Sequence, residues 1–206
     1  MVICLRVVIM SYESSEDNFI VIEGLDGVGK STVTEALSKE LGAKKLSTPG
    51  KGIQKIRDFV DSDIHSRQTK FLMYMASNSS VSDRIENYLE RDEKVVLDRY
   101  YFTTVVYNEV FSCENKSGKY KELMEHFDLV NPDRVFYLDI DEESRLRRLK
   151  GRSSKNKPYE MDRFLMKQIR DEYMNFVNEY GMEKIDAKPP LDDVVTNILG
   201  RLDYGI

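Results

Sequence analysis

The residues best equipped for chemistry lie together near the start of the chain: Gly24-Leu25-Asp26-Gly27-Val28-Gly29-Lys30-Ser31. They fit G-x-x-x-x-G-K-[ST], a loop whose backbone N–H groups turn inward around a phosphate. Glycines permit the turn, and the helix that begins near Lys30, Ser31 and Thr32 adds its partial positive charge. In such a loop Lys30 reaches the β- and γ-phosphates, and the Ser31 hydroxyl ligates Mg²⁺. ATP and Mg²⁺ are therefore the expected cofactors. A second group is Asp98-Arg99-Tyr100, which follows the apolar run Val95-Val96-Leu97. A carboxylate at a strand end beside a phosphate loop is the second acidic group that a Mg²⁺–nucleotide site needs. An arginine directly after it can fork onto a phosphate. The plain alternatives are a chance loop match and an ordinary surface ion pair. The flanking patterns argue against both.

Those flanks are the elements that must position the chemistry. Phe19-Ile20-Val21-Ile22 is an apolar run of strand length. After Ser31, the residues Val33, Ala36, Leu37 and Leu41 fall at helical spacing, and Gly42 ends the pattern. Further along, strand and helix patterns alternate. Strands are expected at 19–23, 44–47, 94–98, 134–140 and 183–186. Helices are expected at 31–41, 52–61, 69–91, 103–111, 142–150, 161–180 and 191–202. Such alternation gives an α/β fold, a parallel sheet with helices on both faces. Ligands of such sheets sit beyond the carboxyl ends of the strands, which places Glu23, Ser47 and Asp98 around one crevice.

The chain has 206 residues, enough for one domain, and its net charge is −5, which argues against a general nucleic-acid binder. Cys4 and Cys113 form no metal-ligand spacing or disulfide framework, which suits a reducing cytoplasm. His65 and His126 lie far apart and read as surface or satisfied residues. No run of 18 apolar residues exists, so no membrane span is expected. Residues 1–18 read as an extension before the domain, apolar to Met10 and then polar, with a poor cleavage site at Ser14-Ser15.

From Phe19 to Leu202 the chain resembles the thymidylate kinase type of nucleoside monophosphate kinase. The resemblance rests on residues 23–32, Thr48-Pro49-Gly50, Asp98-Arg99-Tyr100 with Thr103, Tyr107 and Asn108 behind it, a basic stretch from Arg145 to Arg152, and Ile185-Asp186-Ala187. It implies a three-layer αβα fold of the P-loop NTP-hydrolase type, with a five-stranded parallel sheet and a basic lid at about 145–160. It also implies a homodimer, for which the 69–91 helix is a natural contact. The implied activity is transfer of the ATP γ-phosphoryl group to a pyrimidine (deoxy)nucleoside 5′-monophosphate, dTMP first. A UMP, CMP or dUMP kinase is an alternative, and so is a kinase of an unphosphorylated nucleoside. Nucleoside kinases, however, usually show Glu-Arg-Ser where Asp98-Arg99-Tyr100 stands. A GTP switch would need Asn-Lys-x-Asp, and both Asn115-Lys116-Ser117-Gly118 and Asn156-Lys157-Pro158-Tyr159 lack the final Asp.

Roles carried by the resemblance follow position by position. Asp26 approaches the sugar 3′-hydroxyl, Arg99 holds the acceptor phosphate, and Ser31 with Asp98 organises Mg²⁺, the latter directly or through water. Glu23 orients water or acceptor groups. Some members place an arginine after the loop aspartate. Here that position is Gly27, so the arginine is expected from the lid. Arg145, Arg147, Arg148, Lys150, Arg152, Lys155 and Lys157 crowd thirteen residues without an acid. Arg148 and Arg152 are the leading candidates; a solvated basic face or an RNA contact is the alternative. Two family arginines are missing. In the base pocket the family's aromatic and arginine correspond to Tyr74 and Asn78, where Tyr74 either stacks on a base or packs in the core. The arginine of the loop holding Pro49 is Ser47, with Lys51 or Arg57 out of register as substitutes. Ser47 with Asn78 is closer to the UMP/CMP kinase 2 branch. Thr103 and Tyr107, four apart, share a helix face as pocket walls would.

Overall fold

The computed structural model describes residues 16–50, 52, 59–60, 62, 65–111, 122, 124, 126–152 and 158–202. Residues 1–15 of the expected extension, most of the 52–61 helix, both cysteines, Lys51, Arg57, Lys155, Lys157, the Asn115–Gly118 tetrapeptide and Asn156 lie outside the described residues.

Among the described residues, five strands build one sheet: β1 (Phe19–Gly24), β2 (Lys44–Ser47), β3 (Val95–Asp98), β4 (Arg134–Asp139) and β5 (Glu183–Asp186). Every pairing is parallel, and the order is β2-β3-β1-β4-β5. The central strands β1 and β3 are buried at every position, because helices cover both faces. The edge strands expose Lys44, Lys45 and Lys184, charges that discourage edge-to-edge pairing. Ile22 of β1 pairs with Asp98 of β3, so the phosphate loop and Asp98 leave the sheet side by side.

Among the described residues, six helices have defined bounds: α1 (Lys30–Glu40), α2 (Arg67–Leu89), α3 (Tyr101–Phe111), α4 (Glu142–Lys150), α5 (Arg163–Glu179) and α6 (Leu191–Leu199). α1 and α6 pack together, while α2, α3 and α5 pack in series, α3 against β1. The result is the expected three-layer architecture. The starts of α4 and α6 are the expected ones, and the other four differ by one or two residues; caps explain two of these. The Ser66 side chain accepts from Thr69 N at 3.1 Å and starts α2 at Arg67, a cap worth about 1 kcal/mol. Asp162 accepts from Leu165 N at 3.0 Å, which detaches a separate 3₁₀ turn, Pro158–Met161, from α5. Among the described residues, no helix is long and apolar enough to cross a membrane.

Candidate active site

β1 delivers its chain directly into the phosphate loop. Gly24 has φ 142°, and a Cβ there would lie 2.6 Å from the Leu138 carbonyl oxygen on β4. Glycine is what lets the loop leave the sheet against its neighbour. Gly29 caps α1 with φ 102° and no side-chain capping bond, so the helix N-terminus faces the cavity through backbone. The Lys30 ammonium donates to the Leu25 carbonyl at 2.6 Å. Burial and the nearby Arg99 charge pull Lys30 down to about 8, against the pull of Asp26, Asp98 and Glu23.

The Ser31 hydroxyl donates to Asp98 Oδ2. The other carboxylate oxygen, Asp98 Oδ1, is buried without a partner. Among the described residues no cluster of three or more His, Cys, Asp or Glu side chains could hold a metal. A cation here would rest on one hydroxyl, one carboxylate and phosphate oxygens. That hard-oxygen set with few protein ligands fits Mg²⁺.

Arg99 follows Asp98 with φ 67°, a left-handed conformation uncommon for a non-glycine residue. Thr48 fixes this turn: its hydroxyl donates to the Arg99 carbonyl at 2.9 Å, and its N–H donates to the Asp98 carbonyl at 3.1 Å. The Arg99 guanidinium is thereby turned toward the phosphate loop. Nη2 donates to Asp26 Oδ1 at 2.6 Å and Nη1 to Thr103 Oγ1 at 3.1 Å. The Tyr107 hydroxyl donates to Asp26 Oδ2 at 3.2 Å. Burial alone would raise the Asp26 carboxyl. The Arg99 and Lys30 charges outweigh it and hold Asp26 well below the ordinary carboxylate value.

Glu23 takes a different place from the one expected. It is fully buried, and both oxygens are occupied within the protein. Oε1 accepts from Tyr100 N at 2.8 Å and Thr103 N at 3.3 Å; Oε2 accepts from the hydroxyls of Thr103 and Tyr173 at 2.6 and 3.0 Å. Glu23 thus caps α3 from the neighbouring strand and leaves no oxygen for water or acceptor. Burial raises its carboxyl, opposed by the Arg99 charge and these hydrogen bonds.

Two cavities meet at this cluster. One, of about 900 Å³, is lined by residues 26–33, Asp98, Arg148 and Arg152. The other, of about 660 Å³, is lined by Tyr74, Asn78, Thr103 and Tyr107. Asp26, Thr48, Pro49 and Arg99 line both and form the partition between them. Ser47 lines only the first cavity. Tyr74 is half-buried and faces the second cavity, so it is not simply core. Asn78 is 1% exposed. Its Nδ2 donates to Thr104 Oγ1 at 3.1 Å, and its Oδ1 has no partner. Sequence reasoning missed Arg67, Lys70 and Thr104 in this cavity. Lys70 lies one helical turn before Tyr74, a spacing that could have revealed it. The Arg67 guanidinium lies over the Phe111 ring, 4.6 Å from its centroid.

α4 carries the basic residues, and they separate by role. Arg148 donates to the Val28 and Ala187 carbonyls at 2.7 and 2.8 Å, bracing the phosphate loop. Arg152 lines the larger cavity, half-exposed, with Nη1 3.6 Å from Glu160 Oε1. Its charge is felt at Asp26. Arg147 donates to the Ser144 hydroxyl, away from the cavities. Arg145 is buried completely.

A thymidylate kinase family model matches residues 22–198. A probable thymidylate kinase of Methanococcus vannielii is 31% identical over 189 residues, covering 90% of this chain and 89% of that one. A probable thymidylate kinase of Methanocaldococcus jannaschii is 28% identical over 191 residues, covering 91% and 96%. Among solved structures, the thymidylate kinase of Candida albicans superposes with a TM-score of 0.74 at 22% identity, covering 90% of each chain. With a single family model spanning most of its length, the chain belongs to the thymidylate kinase family.

Proposed function

We propose that this protein transfers the γ-phosphoryl group of ATP to the 5′-phosphate of dTMP, giving dTDP and ADP. The observation that carries the reading is the shared partition: a nucleotide-sized cavity on each side, with Asp26 and Arg99 between them. An acceptor phosphate oxygen attacks the γ-phosphorus while the bond to the β–γ bridging oxygen breaks. No covalent enzyme intermediate is needed. The task of the side chains is alignment and charge neutralisation.

Lys30 and the amides of residues 24–32 hold the donor triphosphate. Ser31 and Asp98 would hold Mg²⁺, which would supply positive charge to offset that of the triphosphate. Arg99 presents the acceptor phosphate, sharing its fork with Asp26, which is placed to reach the sugar 3′-hydroxyl. Arg152 supplies the charge for the transferring group, because Arg148 is spent on two carbonyls. In the acceptor cavity Pro49, Tyr74, Thr103 and Tyr107 form walls. The free Asn78 Oδ1 is a hydrogen-bond acceptor for the N3–H of thymine. Residues 19–206 act as one domain with its lid at about 145–160, and a homodimer in the cytoplasm is the expected working form.

The test is an ATP-coupled assay across dTMP, dUMP, UMP, CMP, dCMP and the matching nucleosides. Turnover should be highest with dTMP and absent with thymidine. Phosphorylation of nucleosides alone would overturn the reading.

A further inference from the structure

The Arg145 side chain touches no cavity residue's reacting group, yet it is 0% exposed and bound on three sides. Nε and Nη2 fork onto the Glu142 carboxylate at 2.6 and 2.8 Å. Nη1 donates to the Asp26 carbonyl at 3.0 Å, and Nη2 donates also to the Glu160 carbonyl at 2.8 Å. Glu160, through its side chain, faces Arg152 at 3.6 Å. One planar group therefore joins α4, the phosphate loop and the turn that anchors Arg152.

Burying a guanidinium is costly unless its donors are satisfied, so these four bonds define a single geometry. The peptide unit is planar, with its C=O and N–H on opposite sides. Holding the Asp26 carbonyl from the α4 side directs the Gly27 N–H the other way, toward the donor cavity that Gly27 lines. The bond donated to that carbonyl also polarises the peptide unit and strengthens the N–H as a donor. Gly27 belongs to the same arrangement. A Cβ there would lie 2.7 Å from Leu149 Cγ and 3.3 Å from the Arg145 carbonyl oxygen. Only glycine lets α4 come close enough for Arg145 to reach the loop.

We propose that Arg145 is a positioning residue that sets the register between the phosphate loop and Arg152. The proposal rests on the kinase reading above, but part of its test does not need an acceptor. Arg145→Lys is the informative variant. Lysine keeps the charge and a partner in Glu142, but one ammonium cannot span three partners in a plane. We expect an unfolding temperature near the parent's, KM for ATP raised about tenfold, kcat lowered about 100-fold, and KM for dTMP unchanged. In Arg145→Lys/Arg152→Ala, kcat should fall no further than in Arg152→Ala alone, because the first residue acts through the second. If lysine restores the kinetics along with the unfolding temperature, or the kcat losses multiply, the proposal is overturned. A parent protein that bound Mg·ATP and phosphorylated no monophosphate would sink the kinase reading instead. Weakened Mg·ATP binding by Arg145→Lys in calorimetry would still uphold this proposal, and unchanged binding would refute it.

Discussion

Arg99 carries two burdens, an acceptor phosphate and the partly buried Asp26 carboxylate, and its replacement should separate them. Arg99→Ala is expected to cost dTMP about 2–5 kcal/mol in kcat/KM, the range for truncating a buried charge partner, with KM for ATP little changed. Lys30→Ala should instead abolish turnover with every acceptor. If Arg99→Ala leaves dTMP kinetics intact, the acceptor assignment is wrong. The two shifted groups have opposite pH consequences. Asp26 is depressed in the folded state, so the stability it draws from Arg99 is present above the ordinary carboxyl value and is lost as pH falls through the folded one. Acid unfolding of Arg99→Ala should therefore lose part of this pH dependence. Lys30 is depressed to about 8, so the free enzyme's ammonium discharges as pH rises through 8, whereas a bound phosphate requires the charge. KM for ATP should climb above that pH. A profile flat from neutral pH to well past 8 would show that Lys30 stays charged.

Glycines test how the elements meet. At Gly24 an added Cβ would strike backbone on β4; at Gly42, with φ 62°, it meets nothing within 4 Å. Gly42→Ala should cost about 1–2 kcal/mol of stability in urea unfolding, the left-handed penalty alone. Gly24→Ala should cost clearly more, because the Leu138 carbonyl cannot step aside. Equal costs would mean that the loop does not press on β4. The same elements show what the sequence could reveal. The phosphate loop is contiguous, so its chemistry and its flanking strand and helix were readable from spacing. All five described strands were expected within one residue of their ends; β1, β3 and β4 are plain apolar runs, whereas the edge strands β2 and β5 each bury a single residue, Leu46 and Ile185. Helix ends shifted where Ser66 and Asp162 cap, since a cap is a local competition that periodicity does not see. Arg145 could not be distinguished from its basic neighbours. Its loop partner lies 119 residues away, so its role exists only once α4 has docked. Glu23 was misplaced for the same reason: its partners come from α3 and α5, far along the chain. Arg67, Lys70 and Thr104 become neighbours only when α2 packs on α3.

Across the whole molecule, the sheet order places β1 and β3 side by side. Their carboxyl ends put a triphosphate cradle against an arginine suited to a second phosphate. Family membership and geometry converge on a machine that brings two anionic tails together and holds them in line. Asn78, a position where the resemblance led to the expectation of an arginine, sets the limit of that agreement: its oxygen without a partner suits the N3–H of thymine or uracil and opposes cytosine, whose N3 is an acceptor. Asn78→Leu should narrow the ratio of dTMP to dCMP turnover, and an unchanged ratio would remove Asn78 from base recognition. The central claim, that donor and acceptor phosphates meet at the Asp26–Arg99 boundary shared by the two cavities, is tested most directly by calorimetric binding of a single molecule joining adenosine to thymidine through five phosphates. Binding about 100-fold or more tighter than either ADP or dTMP alone is expected, because the second half binds at high effective concentration. That gain should disappear in Arg99→Ala. An affinity no better than that of ADP, indifferent to Arg99, would contradict the claim.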